Sequence, residues 1–212
     1  MREEQLFCDG WMFHRGDIRP TPPRHKMISY QSAKTERYQM GPASPYHYVT
    51  DGTQFPTEEK EYTSEDWEKV TLPHDYLAGD GYDPACSAAL GFCKYDNGWY
   101  VKRFDVPAGD EGKRLTLLFE GVTGHATVTL NGCLMKHNFC GYTPFEVDIT
   151  DMVKYGAENS LAVFVDMTEH EGWWYEGAGI YRPVRLRKTD LCAIDLWGVF
   201  ARPERQADGT WI

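Results

Sequence analysis

The stretch ATVTLNG, residues 126–132, alternates strictly and then turns. Ala126, Val128 and Leu130 fall on one face, Thr127 and Thr129 on the other, which is the period of a strand. Asn131-Gly132 supplies the two positive-φ residues of a type I′ turn, so a hairpin is expected there. The flanking sequence repeats the pattern. FEVDI (145–149) places Phe145, Val147 and Ile149 inward, and YVKRFDV (100–106) puts Tyr100, Phe104 and Val106 on one parity. LTLLFEG (115–121) is rich in β-formers, LAVFV (161–165) is a continuous apolar run fit for a central strand, and VRLR (184–187) alternates again. In TDMVKYG (150–156), Thr150 can cap a short helical turn and Gly156 can end it. Beyond that and one turn in TSEDWEK (63–69), helical periodicity is absent from the sequence. Short strands at regular spacing with turn signals predict an all-β sandwich or barrel.

Composition narrows the partners. The 212 residues carry a formal charge of −10, the wrong sign for nucleic acid or an anionic membrane surface. An aromatic content of 14% argues against disorder for most of the chain. No apolar run is long enough to span a bilayer. The acidic start MREEQLFCDGWMF lacks the apolar segment of a secretory signal, so a cytoplasmic location is expected. The six cysteines are then read as free thiols. Cys86/Cys93 and Cys133/Cys140 are spaced too widely for the usual zinc hooks, so neither a metal nor another cofactor is expected. Residues 14–62, rich in proline and short of periodicity, read as a long irregular insertion wrapping the sandwich; Glu36 and Arg37 within it read as solvated surface. From Thr189 onward, IDLWGVFARP (194–203) reads as one new strand and ADGTWI (207–212) as the start of another.

Six segments occur in a telling order: WEKVTLPHDY (67–76), NGWYVKRFDVP (97–107), FEGVTGHATVTLNG (119–132), GYTPFEVDIT (141–150), ENSLAVFVD (158–166) and WWYEGAGIYRPVRL (173–186). Together they resemble the N-terminal sugar-binding domain of glycoside hydrolase family 2, the β-galactosidase and β-glucuronidase family. The resemblance implies a jelly-roll β-sandwich of the galactose-binding-like kind over residues 1–188. It implies that residues 189–212 begin an immunoglobulin-like sandwich, and that the catalytic glutamates belong to a TIM barrel outside this chain. The implied partner is a β-linked sugar shared with that barrel, and a homo-oligomer stays open.

No catalytic residue is assigned in this chain. Asp166, Glu169, Glu171 and Glu176 cluster, but a retaining glycosidase needs two carboxyls at a defined separation across the bond, and a solvated acidic loop accounts for the clustering. His74-Asp75 in LPHDY reads as a structural corner, with Pro73 ending a strand, since adjacency alone does not make a triad. By position, the resemblance brings two loops toward the substrate: CSAALGFCKYDNGWY (86–100), with Asp96 and Asn97 as polar tips, and the loop from Asp166 through His170 and Glu171 to Trp173. Met167 and Trp173 stand where many relatives carry a polar or charged group. Gly177-Ala178-Gly179 reads as a hinge toward a neighbouring surface, with a strand resuming at Ile180 and Tyr181. Trp174, Tyr175, Tyr181 and Arg182 read as a domain interface, and residues 173–176 are expected to be partly exposed. An autonomous carbohydrate-binding module, or a module joining domains or subunits, is the alternative function.

Overall fold

A computed structural model describes residues 2–16, 67–167 and 172–212. The described residues form β1 (Glu3–Leu6), β2 (Trp11–Arg15), β3 (Glu68–Val70), β4 (Gly98–Val106), β5 (Arg114–Phe119), β6 (His125–Leu130), β7 (Cys133–Asn138), β8 (Phe145–Asp148), β9 (Ala157–Asp166) and β10 (Val184–Thr189). The strands pair antiparallel into a four-stranded sheet ordered β1-β10-β5-β8 and a six-stranded sheet ordered β3-β2-β4-β9-β6-β7. This is the expected β-sandwich. No helix among the described residues is long and apolar enough to cross a membrane.

One apolar core lies between the sheets. Leu115, Leu117 and Phe119 of β5 and Val184 of β10 join Trp11, Phe13, Tyr100, Val128 and Val163 of the larger sheet. Burial of this kind supplies most of the stabilisation of a sandwich. The continuous apolar run of β9 has its reason in placement. Leu161, Val163 and Val165 belong to the core, while Ala162 packs with Val101, and Phe164 with Trp99, on the opposite side of the sheet. A strand buried on both sides has no face left to be polar.

The β6–β7 hairpin forms where the sequence places it, with φ of 51° at Asn131 and 82° at Gly132. The Asn131 side chain also reaches beyond the turn. Its amide donates to Met152 O (3.0 Å) and Asn159 Oδ1 (2.9 Å), and its Oδ1 accepts from Ser160 N (3.0 Å). Replacing Asn131 by glycine keeps the positive φ and removes these bonds. Asn131→Gly is therefore expected to lower stability by about 2 kcal/mol, read from urea unfolding of the two proteins side by side.

Several local expectations change. Trp67–Lys69 is not a helical turn: β3 pairs with β2, Trp11 opposite Val70, because the open edge of β2 offers a ladder that local propensity cannot outweigh. β2 runs through Arg15, so the irregular segment begins later than residue 14; residues 17–66, including Glu36 and Arg37, lie outside the described residues. Thr150 does not cap a helix. Its hydroxyl bridges to the Leu115 backbone, and Asp148 Oδ1 accepts from Thr150 N at 3.0 Å. Pro73 ends no strand, since β3 stops at Val70 and Pro73 lies within the corner that follows. IDLWGVFARP is not a strand either. It turns at Asp195–Gly198, and Arg2 and Arg114 hold Ile194 O and Asp195 at 2.6 and 3.4 Å. Downstream, Glu204 and Ile212 exchange backbone bonds at 3.0 Å around an Asp208-Gly209 turn, a small hairpin with no sheet beside it among the described residues. An extended segment without a ladder partner has no reason to stay straight.

Candidate functional site at the loop end of the sandwich

The corner LPHDY and the run YEGAGI fold against each other. Tyr76 N donates to Ala178 O (3.0 Å), His74 N to Ile180 O (2.8 Å), and Thr123 N to Gly179 O (2.9 Å), so residues 178–180 lie zipped between two other loops. The Asp75 carboxylate is the hub. Oδ1 accepts from Leu77 N and Ala178 N, both at 3.0 Å, and Oδ2 accepts from the Tyr175 hydroxyl at 2.7 Å. Burial, then the bond to Asp75, pushes the Tyr175 phenol well above its ordinary range. Gly-Ala-Gly is therefore no hinge toward a neighbour. A Cβ on Gly179, whose φ is 117°, would lie 2.3 Å from Tyr100 Oη and 2.6 Å from His74 O, and Ala178 is fully buried. The close approach that the glycines allow is to this domain's own corner. The strand resumes only at Val184, because Ile180 and Tyr181 are still held in the zipped loop.

Beneath the corner, His74 Nδ1 and the Tyr100 hydroxyl lie 2.8 Å apart. Burial lowers the His74 pKa against the opposing pull of Glu68 and Asp75. A histidine depressed in the folded state is neutral there but protonates on unfolding. Its stabilising contribution is full above the ordinary value near 6.5 and is lost as pH falls below it. Stability measured from pH 8 to 5 is expected to decline through that window, and His74→Gln is expected to flatten the decline.

An ionic cluster anchors the neighbouring loop. Arg15 pairs with Asp80 at 2.7 Å and Asp96 at 3.3 Å, lies over the Tyr76 ring, and donates to Lys94 O at 2.9 Å. Tyr76 donates to Asp96 O at 2.6 Å, and Tyr95 Oη accepts from Glu176 N at 3.1 Å.

Residues 174–176 form a ridge between two depressions. On one side Trp174 Nε1 donates to the Tyr142 hydroxyl at 2.9 Å, and Glu176, Tyr142, Phe139 and His125 border a shallow groove of about 20 Å³. On the other side Tyr175 borders a wider cleft of about 390 Å³ with Leu77, Asp80, Tyr82, Gly91 and Cys93. Trp173, Trp174 and Tyr175 are 87%, 55% and 42% exposed, as expected for residues at the crest.

The expected substrate-proximal residues part company. Asp96 is at the rim but held by Arg15 and Lys94. Asn97 is not a polar tip: it is 7% exposed, and its Oδ1 accepts from Met167 N at 2.8 Å, because β4 and the end of β9 need that backbone group satisfied. Asp166 closes β9 half-buried opposite His125. His170 and Glu171, with Glu169, lie outside the described residues. Trp173 stands clear of the surface. Tyr181 and Arg182, expected at an interface, bond within the domain: Tyr181 donates to Gly141 O (2.9 Å), and Arg182 stacks on Tyr181 and reaches Tyr142 O (3.4 Å). Sequence reading missed Arg15, Asp80, Tyr95 and Tyr142, each of which reaches its partner only through the topology. The role of Asp75 had one signal, an aspartate placed to accept from the backbone two residues on. Among the described residues no cluster of histidine, cysteine or acidic side chains is arranged to hold a metal.

Comparison with known proteins places this architecture. The family model for the sugar-binding domain of glycosyl hydrolases family 2 matches residues 86–190. A β-galactosidase of Bacteroides ovatus is 35% identical over 142 residues, covering 66% of this chain and 17% of that protein. A β-glucuronidase of Formosa agariphila is 31% identical over 156 residues, covering 64% and 15%. The crystal structure of a glycosyl hydrolase family 2 member from Bacteroides cellulosilyticus superposes with a TM-score of 0.63 at 31% identity, over 88% of this chain and 20% of that one. The chain thus spans roughly a sixth of the curated relatives it matches. With the sandwich and its motifs in register, residues 86–190 match the sugar-binding domain of family-2 glycosyl hydrolases in both sequence and fold.

Proposed function

We propose that this chain is the non-catalytic N-terminal part of a β-glycosidase, shaping the mouth of the substrate pocket and buttressing a catalytic barrel supplied by further sequence. The supporting observation is the ridge itself. Three large aromatics at the loop end are partly or fully exposed, yet the loop that carries them is fixed by Asp75. A rigid, exposed aromatic crest suits a surface that another domain covers or a sugar contacts. The carboxylates nearby hold structure: Asp75 anchors the loop, and Asp80 and Asp96 pair with Arg15. In this reading residues 1–188 are the sandwich, and residues 189–212 open a following immunoglobulin-like domain. Asp96, Asp166 and Trp173 stand toward the β-linked sugar, and Trp174 and Tyr175 toward the barrel. Six free thiols support a reducing, cytoplasmic setting. The test compares this chain with a longer protein that contains it on aryl β-glycosides. Turnover by the longer protein alone is the expected result; turnover by this chain alone would overturn the accessory role.

A further inference from the structure

Cys86 and Cys93 flank a small closed loop beside the wider cleft. Phe92 ties it on two sides: its N–H donates to Ser87 O at 3.0 Å, and its carbonyl accepts from Asp83 N at 2.8 Å. Cys86 N donates to Asp83 O at 2.9 Å, and Gly91 N to Ala88 O at 3.2 Å. Gly91 and Phe92 have φ of 73° and 58°, so the chain doubles back there. Positive φ is unfavourable for a bulky side chain, so the loop holds Phe92 against its own preference. Cys93 follows Phe92 and Cys86 precedes Ser87, which puts the two cysteines at the neck. Cys93 is buried, lines the cleft with Tyr175 and donates its thiol to Gly91 O at 3.5 Å, while Cys86 is half-buried. Desolvation, then the Asp83 carboxylate, holds the Cys86 thiol above its ordinary value; a thiolate at Cys93 raises it further, and Lys94 opposes.

We infer that Cys86 and Cys93 are a reversible thiol–disulfide pair that locks this loop, and with it one wall of the cleft, under oxidising conditions. A bridge spans about 4.4–6.8 Å between Cα atoms, within reach of residues that flank a hydrogen-bonded neck. Cys86 is the more accessible thiol and attacks first. Its thiolate takes one sulfur of a small disulfide such as oxidised glutathione and releases one glutathione. Cys93 then attacks the Cys86 sulfur and expels the second. Two protons and two electrons pass from the two cysteines to one glutathione disulfide, which becomes two thiols. The bridge closes residues 86–93 into a ring that contains Gly91. A Cβ on Gly91 would sit 3.6 Å from the Tyr175 Cβ, so the ring also fastens the surface on which Tyr175 rests. In a reducing setting both thiols stay free and the loop opens more readily.

Equilibrating the chain with mixtures of glutathione and its disulfide at about pH 8 tests the pair, with remaining thiols trapped by N-ethylmaleimide after acid quench and denaturation. Tryptic peptide 70–94 carries both cysteines and no other. It is expected to be two hydrogens lighter than its reduced form and free of maleimide. The equilibrium constant for bridging is expected to be about tenfold larger in the folded chain than in urea. Cys93→Ser is expected to retain on Cys86 the glutathione that the native chain releases. Bridging is expected to slow amide exchange at Gly91 and Phe92 about tenfold, and dithiothreitol to restore it. Glutathione retained on Cys86 in the native chain, maleimide on both cysteines after oxidation, a constant no larger than in urea, or exchange unchanged by the bridge would each overturn the inference.

Discussion

Gly179→Ala is expected to lower stability by about 4 kcal/mol and to leave much of the protein unfolded at 37 °C. Two costs combine. The residue sits at φ 117°, where an L side chain is strained by about 1–3 kcal/mol. The added Cβ would lie 2.3 Å from Tyr100 Oη and 2.6 Å from the His74 carbonyl, and making room costs a further 1–3 kcal/mol or so. Neither neighbour yields easily. Tyr100 is fully buried and bonded to His74, and the His74 carbonyl belongs to the corner zipped onto Ile180. Gly109→Ala is the control. Nothing lies within 4 Å of its Cβ position and its φ is unexceptional, so little change is expected. Urea unfolding of the three proteins gives the comparison. Equal midpoints for Gly179→Ala and Gly109→Ala would mean that the zipped loop does not support the fold.

The same loop shows how far sequence reading reaches. Alternation in FEVDI was legible because a strand with one buried face must alternate. ATVTLNG alternates although both of its faces are buried, because the hydroxyls of Thr127 and Thr129 find partners in His137 and Ala162 O. Asn131-Gly132 was legible because few residue pairs accept two positive φ values. LAVFV was legible as central because burial on both sides removes the polar face. β1, β2 and β3 were not legible. Glu3–Leu6 is exposed throughout, and Glu68–Val70 owes its extension to β2 across a gap of more than fifty residues in sequence. The site divides in the same way. The exposure of Trp173, Trp174 and Tyr175 follows from residue type and loop context. Which of them is rigid depends on Asp75, a hundred residues upstream of Tyr175, and a long-range bond of that kind leaves no periodic trace. Asn97 misled for the reverse reason. Asparagine before glycine is typical of turn tips, but here its oxygen satisfies a backbone group at the end of the distant β9.

Asp75→Ala is expected to cost about 3 kcal/mol and, more tellingly, to free the aromatic crest. Three donors lose their acceptor at once: Leu77 N, Ala178 N and the Tyr175 hydroxyl. Ala178 and Leu77 are fully buried, and an unsatisfied buried amide costs about 1–3 kcal/mol where water cannot replace the carboxylate. Tyr175 is partly exposed, so water takes over its hydrogen bond and its share of the loss is small. Asp75→Asn keeps a carbonyl acceptor and is expected to lose about half as much. Alkaline titration separates loop release from general destabilisation. In the native protein, burial and the Asp75 carboxylate both hold the Tyr175 phenol above its ordinary range near 10. A phenol raised by folding stabilises the fold below that ordinary value, and the contribution is lost as pH rises above it. Asp75→Ala removes the carboxylate and opens the loop, so Tyr175 is expected to ionise at lower pH, and the variant to lose less additional stability between pH 9 and 11. Tyr76, Tyr95 and Tyr100 are also raised, chiefly by burial and to a lesser degree by the Asp75 charge. Repeating the absorbance titration with Tyr175→Phe in both backgrounds therefore isolates the share of the difference that belongs to Tyr175. An unshifted phenol in Asp75→Ala would show that packing against Gly91 holds the crest without the carboxylate, and the rigidity assigned to Asp75 would pass to the loop that carries Gly91.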